Sequence, residues 1–186
     1  MTWNVNGYRS VYGKGLTDWV LASRPDALLL HEVRVHPQQL TEHQRSLPGY
    51  CAFWNPAAKP GYSGVATFLL EPVEGIRYGL GDAGFDDEGR VIRTRHEDFL
   101  LYNVYFPSGR RGQERVAFKL DFYAHLLEIC DRLHAQGEKI ILAGDFNTVH
   151  EEIDLVLHQN SFVRQHDLSK IWHSSTKSMQ GLKLQT

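Results

Sequence analysis

The sequence lacks the features that mark secreted, membrane-spanning or strongly charged proteins. Its 186 residues include only two cysteines and no low-complexity block. No apolar run approaches the ~20 residues that a transmembrane helix needs. The formal net charge is -2, so composition gives no general argument for binding nucleic acid. These absences argue against a disulfide-rich domain and a membrane protein, and any DNA contact must come from a local patch.

The cysteines and the first residues of the chain predict an intracellular protein. Cys51 and Cys130 lie far apart, each in an apolar run, so we expect two reduced, buried thiols. No basic region followed by an apolar stretch precedes Asn4, so no signal peptide is expected. We therefore expect a cytoplasmic protein of one domain, without membrane contact.

Helix and strand patterns alternate along the first part of the chain. The continuous apolar run 27–30 predicts a strand buried on both faces. Apolar residues at helical spacing over 114–134 predict a long amphipathic helix. Residues 156–186 are polar and predict a poorly ordered tail after a domain that spans 1–155. Further helices are predicted over 16–23 and 37–47, and further strands over 50–54, 65–70, 91–95, 100–106 and 139–143.

Oxygen-bearing side chains stand where the predicted strands end. Asn4, Glu32, Tyr105 and Asp145 each lie within a residue or two of such an end, and Asn147 follows closely. Sites in α/β sheets form beyond the carboxyl ends of strands, and carboxylate and amide oxygens suit Mg²⁺ or Mn²⁺. Each residue alone also fits a structural interpretation, as a cap, a turn, a solvated carboxylate or a core aromatic. As a set they favour a metal site that cleaves phosphodiesters.

A local basic patch offers the best candidate for a DNA contact. It comprises the arginines of segment 110–115 together with Lys119, and Arg9 and Lys14 add charge elsewhere. A solvated helix face would have the same composition, so charge alone does not decide between these interpretations.

The polar residues at the strand ends lie within or near longer sequence motifs that together form a recognisable pattern. They are Trp3-Asn4-Val5-Asn6-Gly7, Lys59-Pro60-Gly61-Tyr62-Ser63-Gly64-Val65-Ala66, Glu88-Gly89-Arg90-Val91-Ile92, Gly144-Asp145-Phe146-Asn147 and His150-Glu151-Glu152-Ile153-Asp154-Leu155. With these motifs the chain resembles the exonuclease III family of DNA-repair nucleases and AP endonucleases, within the endonuclease/exonuclease/phosphatase superfamily. The resemblance implies a four-layered α/β sandwich of two packed mixed β-sheets flanked by helices, with the C-terminal part of the second sheet missing.

The resemblance also implies an activity: Mg²⁺-dependent (or Mn²⁺-dependent) 3′→5′ exonuclease and AP endonuclease action. The implied partner is double-stranded DNA with abasic or 3′-blocked ends, bound by a monomer. Glu32 would be the principal metal ligand, joined by Asn4, Asp145 and Asn147. The implied catalytic residues are Tyr105, Asp145 and Asn147, and the implied DNA-binding residues are Asn6, Ser108, Arg110 and Arg111.

Some motifs of the family do not occur among these residues. They are a Tyr-Thr-Trp-Trp strand, an Arg-Ile-Asp-Tyr strand and a Ser-Asp-His motif, which carry two aspartates and the catalytic histidine. We therefore expect weak or no nuclease activity, and the alternative is a non-catalytic truncated remnant with residual DNA or metal binding. Strand 139–143 would expose an edge that favours aggregation. We interpret His150 and the pair His166-Asp167 as structural or solvated, and expect His31 to point away from Glu32.

Overall fold

The computed structural model describes residues 1–110 and 112–148, which form two compact units. The first unit contains Met1–Tyr105 and Lys139–Asp145, and it includes every strand that the structure describes. The second contains residues 106–138 and 146–148 within the described range. The predicted tail 156–186 and its boundary at Leu155 lie outside the described residues.

The first sheet has the strand order β1-β2-β4-β3. Strand β1 runs parallel to β2, and β4 is antiparallel to both β2 and β3. The run that predicted a doubly buried strand forms the centre of this sheet, where Leu28, Leu29 and Leu30 are almost inaccessible to solvent. The strands are β1 (Thr2–Asn4), β2 (Ala27–His31), β3 (Cys51–Asn55) and β4 (Val65–Leu69).

The second sheet has the strand order β5-β6-β7-β8. Its first three strands are antiparallel neighbours, whereas β7 and β8 are parallel. Among the described residues, the outer edge of β8 has no strand partner. The strands are β5 (Gly75–Tyr78), β6 (Val91–Arg95), β7 (Leu100–Tyr105) and β8 (Ile140–Asp145).

Two hydrophobic layers enclose the first sheet. On one face, Leu28 and Leu30 pack with Tyr8 and Leu16 of helices α1 (Tyr8–Tyr12) and α2 (Leu16–Ser23). On the other face, Leu29 and Leu69 pack with Leu101 and Ala143 of the second sheet. The α/β fold with two packed mixed sheets, predicted from the sequence, is therefore confirmed.

The second unit is built on one long helix, α5 (Gln113–Ala135). Phe106 stacks on Tyr123 and on Phe146, with ring centroids 4.2 and 4.7 Å apart. The Tyr123 hydroxyl donates to the carbonyl of Phe146 at 2.7 Å. Helix α5 and these rings thus hold the segment that follows β8.

The single helix predicted over 37–47 is wrong. A 3₁₀ turn at Pro37–Gln39 is followed by a separate helix α3 (Glu42–Arg45), because Thr41 caps it and accepts a hydrogen bond from the Gln44 amide at 3.3 Å. The sequence patterns also missed α1, β5 and a short helix α4 (Ala83–Asp86). Cys51 is only partly buried because β3 is an edge strand, and both cysteines are free thiols.

Among residues 1–110 and 112–148, no helix combines the length and the apolar surface that crossing a membrane requires.

Candidate active site

The two parallel strand pairs deliver the predicted polar residues to one place in the first unit. Asn4 is the last residue of β1, and Glu32 follows directly after β2. Tyr105 and Asp145 are the last residues of β7 and β8, and they are register partners. The structure thus brings together four of the side chains that the sequence singles out.

The side-chain amide of Asn4 links both carboxylates. Its Nδ2 donates to Oε1 of Glu32 and to Oδ2 of Asp145, each at 2.8 Å. Its Oδ1 accepts from the backbone amide of Asn6 at 3.1 Å, which fixes the orientation of the amide. One neutral side chain from β1 therefore holds a carboxylate of each sheet.

Two further donors act on Glu32. Partial burial raises the pKa of this carboxyl group, but hydrogen bonds from Asn4, Tyr105 and Arg34, with the Arg34 charge, outweigh it and leave the pKa below its ordinary value. Nη2 of Arg34 lies 2.5 Å from Oε2 of Glu32. Sequence reasoning missed Arg34, although its spacing of two residues from Glu32 was visible.

The backbone at Glu32 is left-handed, with φ of 53°. Neighbouring segments secure it. The amide of Gly7 donates to the Glu32 carbonyl at 2.8 Å, and the amides of Val33 and Arg34 donate to the carbonyls of Gly64 and Ser63. Left-handed non-glycine residues are strained and persist only where the surrounding structure holds them, as these backbone hydrogen bonds do at Glu32.

His31 lies behind the site in the core. Nδ2 of Asn103 donates to the carbonyl of Ala66 and to Oγ1 of Thr67, so its Oδ1 faces Nε2 of His31 at 2.8 Å. Nε2 therefore carries the proton. Burial lowers the pKa of His31 to about 4, and the ring is neutral near pH 7. Its position, stacked near Tyr105 with centroids 6.4 Å apart, is that of a supporting residue.

Asn147 belongs to the second unit. Its Nδ2 donates to the carbonyl of Phe106 at 2.8 Å, and its own carbonyl accepts from Nζ of Lys119 at 2.7 Å. Its φ is 49°, another left-handed residue. Its expected role in binding metal or phosphate stays a prediction.

The residues predicted to bind DNA differ in exposure and in whether the structure describes them. Asn6 is exposed, and so is Arg110, whose amide donates to Oγ of Ser108 at 3.4 Å. Arg111 lies outside the described residues, as does the segment from His150 that includes His166-Asp167.

The assignment of Lys119 to an exposed basic patch is wrong. Its side chain is buried because position 119 shares the inner face of α5 with positions 122, 126 and 130.

The described residues contain no group of three His, Cys, Asp or Glu side chains placed to hold a metal ion. The candidate site offers two carboxylates and an amide, to which water or phosphate oxygens would have to be added. Such a mixed shell is the usual way in which proteins bind Mg²⁺.

The fold is that of a known class of hydrolases. The model of the endonuclease/exonuclease/phosphatase family matches residues 1–178, so the chain belongs to that family.

The chain is similar to proteins from several organisms. The chain is 35% identical over 156 residues to an exodeoxyribonuclease of Bacillus subtilis, covering 83% of this chain and 60% of that protein. It is 35% identical over 161 residues to a DNA-(apurinic or apyrimidinic site) endonuclease of Dictyostelium discoideum, covering 83% and 43%. The structure of an AP endonuclease from Archaeoglobus fulgidus superposes with a TM-score of 0.72 at 27% identity, covering 84% and 60%. The chain therefore spans about half the length of these relatives.

Proposed function

We propose that this protein is a metal-dependent nuclease that hydrolyses phosphodiester bonds in double-stranded DNA, at abasic sites and at 3′-blocked ends. The observation that carries this proposal is the convergence of Asn4, Glu32, Tyr105 and Asp145 at one end of two packed sheets. The relatives, an exodeoxyribonuclease and an AP endonuclease, support the choice of substrate.

The site fits a divalent cation by the chemistry of its donors. The carboxylates of Glu32 and Asp145 both lie 2.8 Å from Nδ2 of Asn4 and supply hard oxygen ligands. Because the pKa of Glu32 is lowered, this ligand is ionised at physiological pH. We assign Glu32 as the principal ligand of Mg²⁺ or Mn²⁺, with Asp145 as the second carboxylate ligand. Nδ2 of Asn4 faces both carboxylates and orients them. Direct ligation by Asn4 or Asn147, which the family resemblance implies, stays a prediction. When bound, the metal would neutralise the phosphate and stabilise the leaving oxygen.

The proposed roles of Tyr105, Asp145 and Asn4 follow from the hydrogen bonds that their side chains can donate or accept. The hydroxyl of Tyr105, which donates to Glu32 in the structure, would donate to a phosphate oxygen once substrate is present. The carboxylate of Asp145 would accept the proton of the attacking water. Asn4 holds both carboxylates in place without adding charge that would repel the phosphate.

A fluorescent duplex with one abasic site tests this proposal, with the purified chain assayed in Mg²⁺ and in EDTA. We expect weak Mg²⁺-dependent cleavage, because several family motifs do not occur among these residues, and Glu32→Gln and Asp145→Asn should each lower it further by about 10²-fold or more. Glu71→Gln, at an exposed carboxylate away from the site, is the matched control. Absence of cleavage by the unaltered chain would overturn the proposal and favour a non-catalytic protein with residual DNA or metal binding.

A further inference from the structure

Arg90 is a buried cation directly behind the candidate site. It precedes β6, and its side chain is only 2% exposed. Burying a guanidinium costs free energy unless its donors are satisfied. The hydrogen-bond partners of its three nitrogens therefore indicate the role of this side chain.

Three contacts join Arg90 to Tyr105. Nη1 donates to the carbonyl of Tyr105 at 2.9 Å, and the amide of Tyr105 donates to the carbonyl of Arg90 at 2.9 Å. The guanidinium carbon lies 4.7 Å from the centroid of the Tyr105 ring, within the range of a cation–π contact. Arg90 thus holds both the backbone and the ring of this residue.

The other two nitrogens are also engaged by protein groups. Nε donates to Oε2 of Glu88 at 2.6 Å, and Nη2 donates to the hydroxyl of Tyr62 at 3.2 Å. A direct contact between Arg90 and DNA would require it to leave these partners and its burial. Its geometry favours a role inside the protein over a role in binding the substrate.

We propose that Arg90 is a positioning residue that fixes the Tyr105 ring so that its hydroxyl meets Glu32. The catalytic consequence rests on the proposed nuclease function, whereas the structural coupling does not. Arginine is required because a planar guanidinium can stack on the ring and donate in three directions at once. A lysine ammonium keeps the charge but cannot reproduce this arrangement.

The structural coupling can be measured without any substrate. In protein labelled with 3-fluorotyrosine, the ¹⁹F resonance of Tyr105 is assigned by its loss in Tyr105→Phe. We expect Arg90→Lys to shift and broaden this resonance, and Arg93→Lys, on the adjoining strand β6 and partly exposed, to leave it unchanged. Glu88→Gln removes the charge that holds Nε and should shift it in the same direction by less. An unchanged resonance in both Arg90→Lys and Glu88→Gln overturns the proposal.

A double-mutant cycle tests the catalytic consequence. Arg90→Lys should lower kcat about tenfold with little change in KM, and should have no further effect in a Tyr105→Phe background. A raised KM with unchanged kcat, or equal losses in both backgrounds, would show that Arg90 does not act through the Tyr105 hydroxyl. If the unaltered chain does not cleave DNA, the nuclease proposal fails, and the ¹⁹F measurement still decides the coupling.

Discussion

Gly144 is the residue whose replacement should most directly displace the candidate site. It lies on β8 opposite Val104 of β7 and immediately precedes Asp145. Its φ is 153°, a conformation that residues with a side chain rarely adopt. A Cβ atom at this position would lie 1.9 Å from the carbonyl oxygen of Val104. Gly144→Ala should therefore force the two parallel strands apart.

The structure sets the size of the effect. The atoms nearest to the added methyl group all belong to the Val104 backbone, at 1.9, 2.8 and 3.0 Å, so no side-chain rotation can relieve the contact. Backbone strain of ~1–3 kcal/mol, with the loss of one or two ladder hydrogen bonds at about 1 kcal/mol each, predicts destabilisation of roughly 2–5 kcal/mol. For a chain of this length that corresponds to a fall in Tm of roughly 5–15 °C.

Thermal and urea unfolding of the two proteins measures this change. Gly49→Ala is the matched control, because Gly49 also has a positive φ, of 80°, but nothing lies within 4 Å of its added Cβ. It should cost only the left-handed penalty of ~1–2 kcal/mol. Since Asp145 follows Gly144, Gly144→Ala should also weaken Mg²⁺ binding in calorimetry, and Gly49→Ala should not. Equal destabilisation by the two substitutions would refute the steric argument.

Three further outcomes are expected. A thiol reagent at pH 8 should modify Cys51 rapidly and Cys130 only after unfolding, because burial raises the pKa of the Cys130 thiol to about 12; similar rates would contradict this. Neutralising the three arginines of segment 110–115 should weaken DNA binding and flatten its dependence on salt, and an unaltered slope would place the contact elsewhere. Arg34→Gln removes a charge that lowers the pKa of Glu32, so on acidification the variant should lose Mg²⁺ binding at a higher pH than the unaltered protein does. Loss of Mg²⁺ binding at the same pH in both proteins would contradict this.

Local signals in the sequence were sufficient to place several parts of the site. The apolar run 27–30 ends just before Glu32, and strand 139–143 ends just before Asp145. The end of a buried strand places such a carboxylate at the edge of the sheet, although it does not set the face to which the side chain points, so neither placement needed knowledge of distant contacts. The fold class was implied by the resemblance of the sequence motifs to the exonuclease III family, whereas the alternation of patterns placed individual strands and helices.

Contacts between distant segments could not be predicted in this way. Asn4 and Asp145 are 141 residues apart, and only the packing of the two sheets brings them within hydrogen-bonding distance. Arg90 has the sequence context of a surface arginine, and its burial depends on Tyr62 and Tyr105 from other strands and loops. Lys119 is different, because its spacing from the apolar residues of α5 already indicated the inner face.

The backbone of Glu32 explains why strand alternation alone would misplace this side chain. Leu28 and Leu30 face the helices, and strict alternation would send Glu32 to the same side. The left-handed φ of 53° ends the strand at His31 and allows the carboxylate to meet Tyr105 of the other sheet. A left-handed residue costs ~1–2 kcal/mol, so the fold sustains this turn through backbone hydrogen bonds from flanking loops. Strict alternation of side chains thus does not hold at Glu32, the proposed metal ligand. Departures of this kind from regular geometry are expected at functional sites.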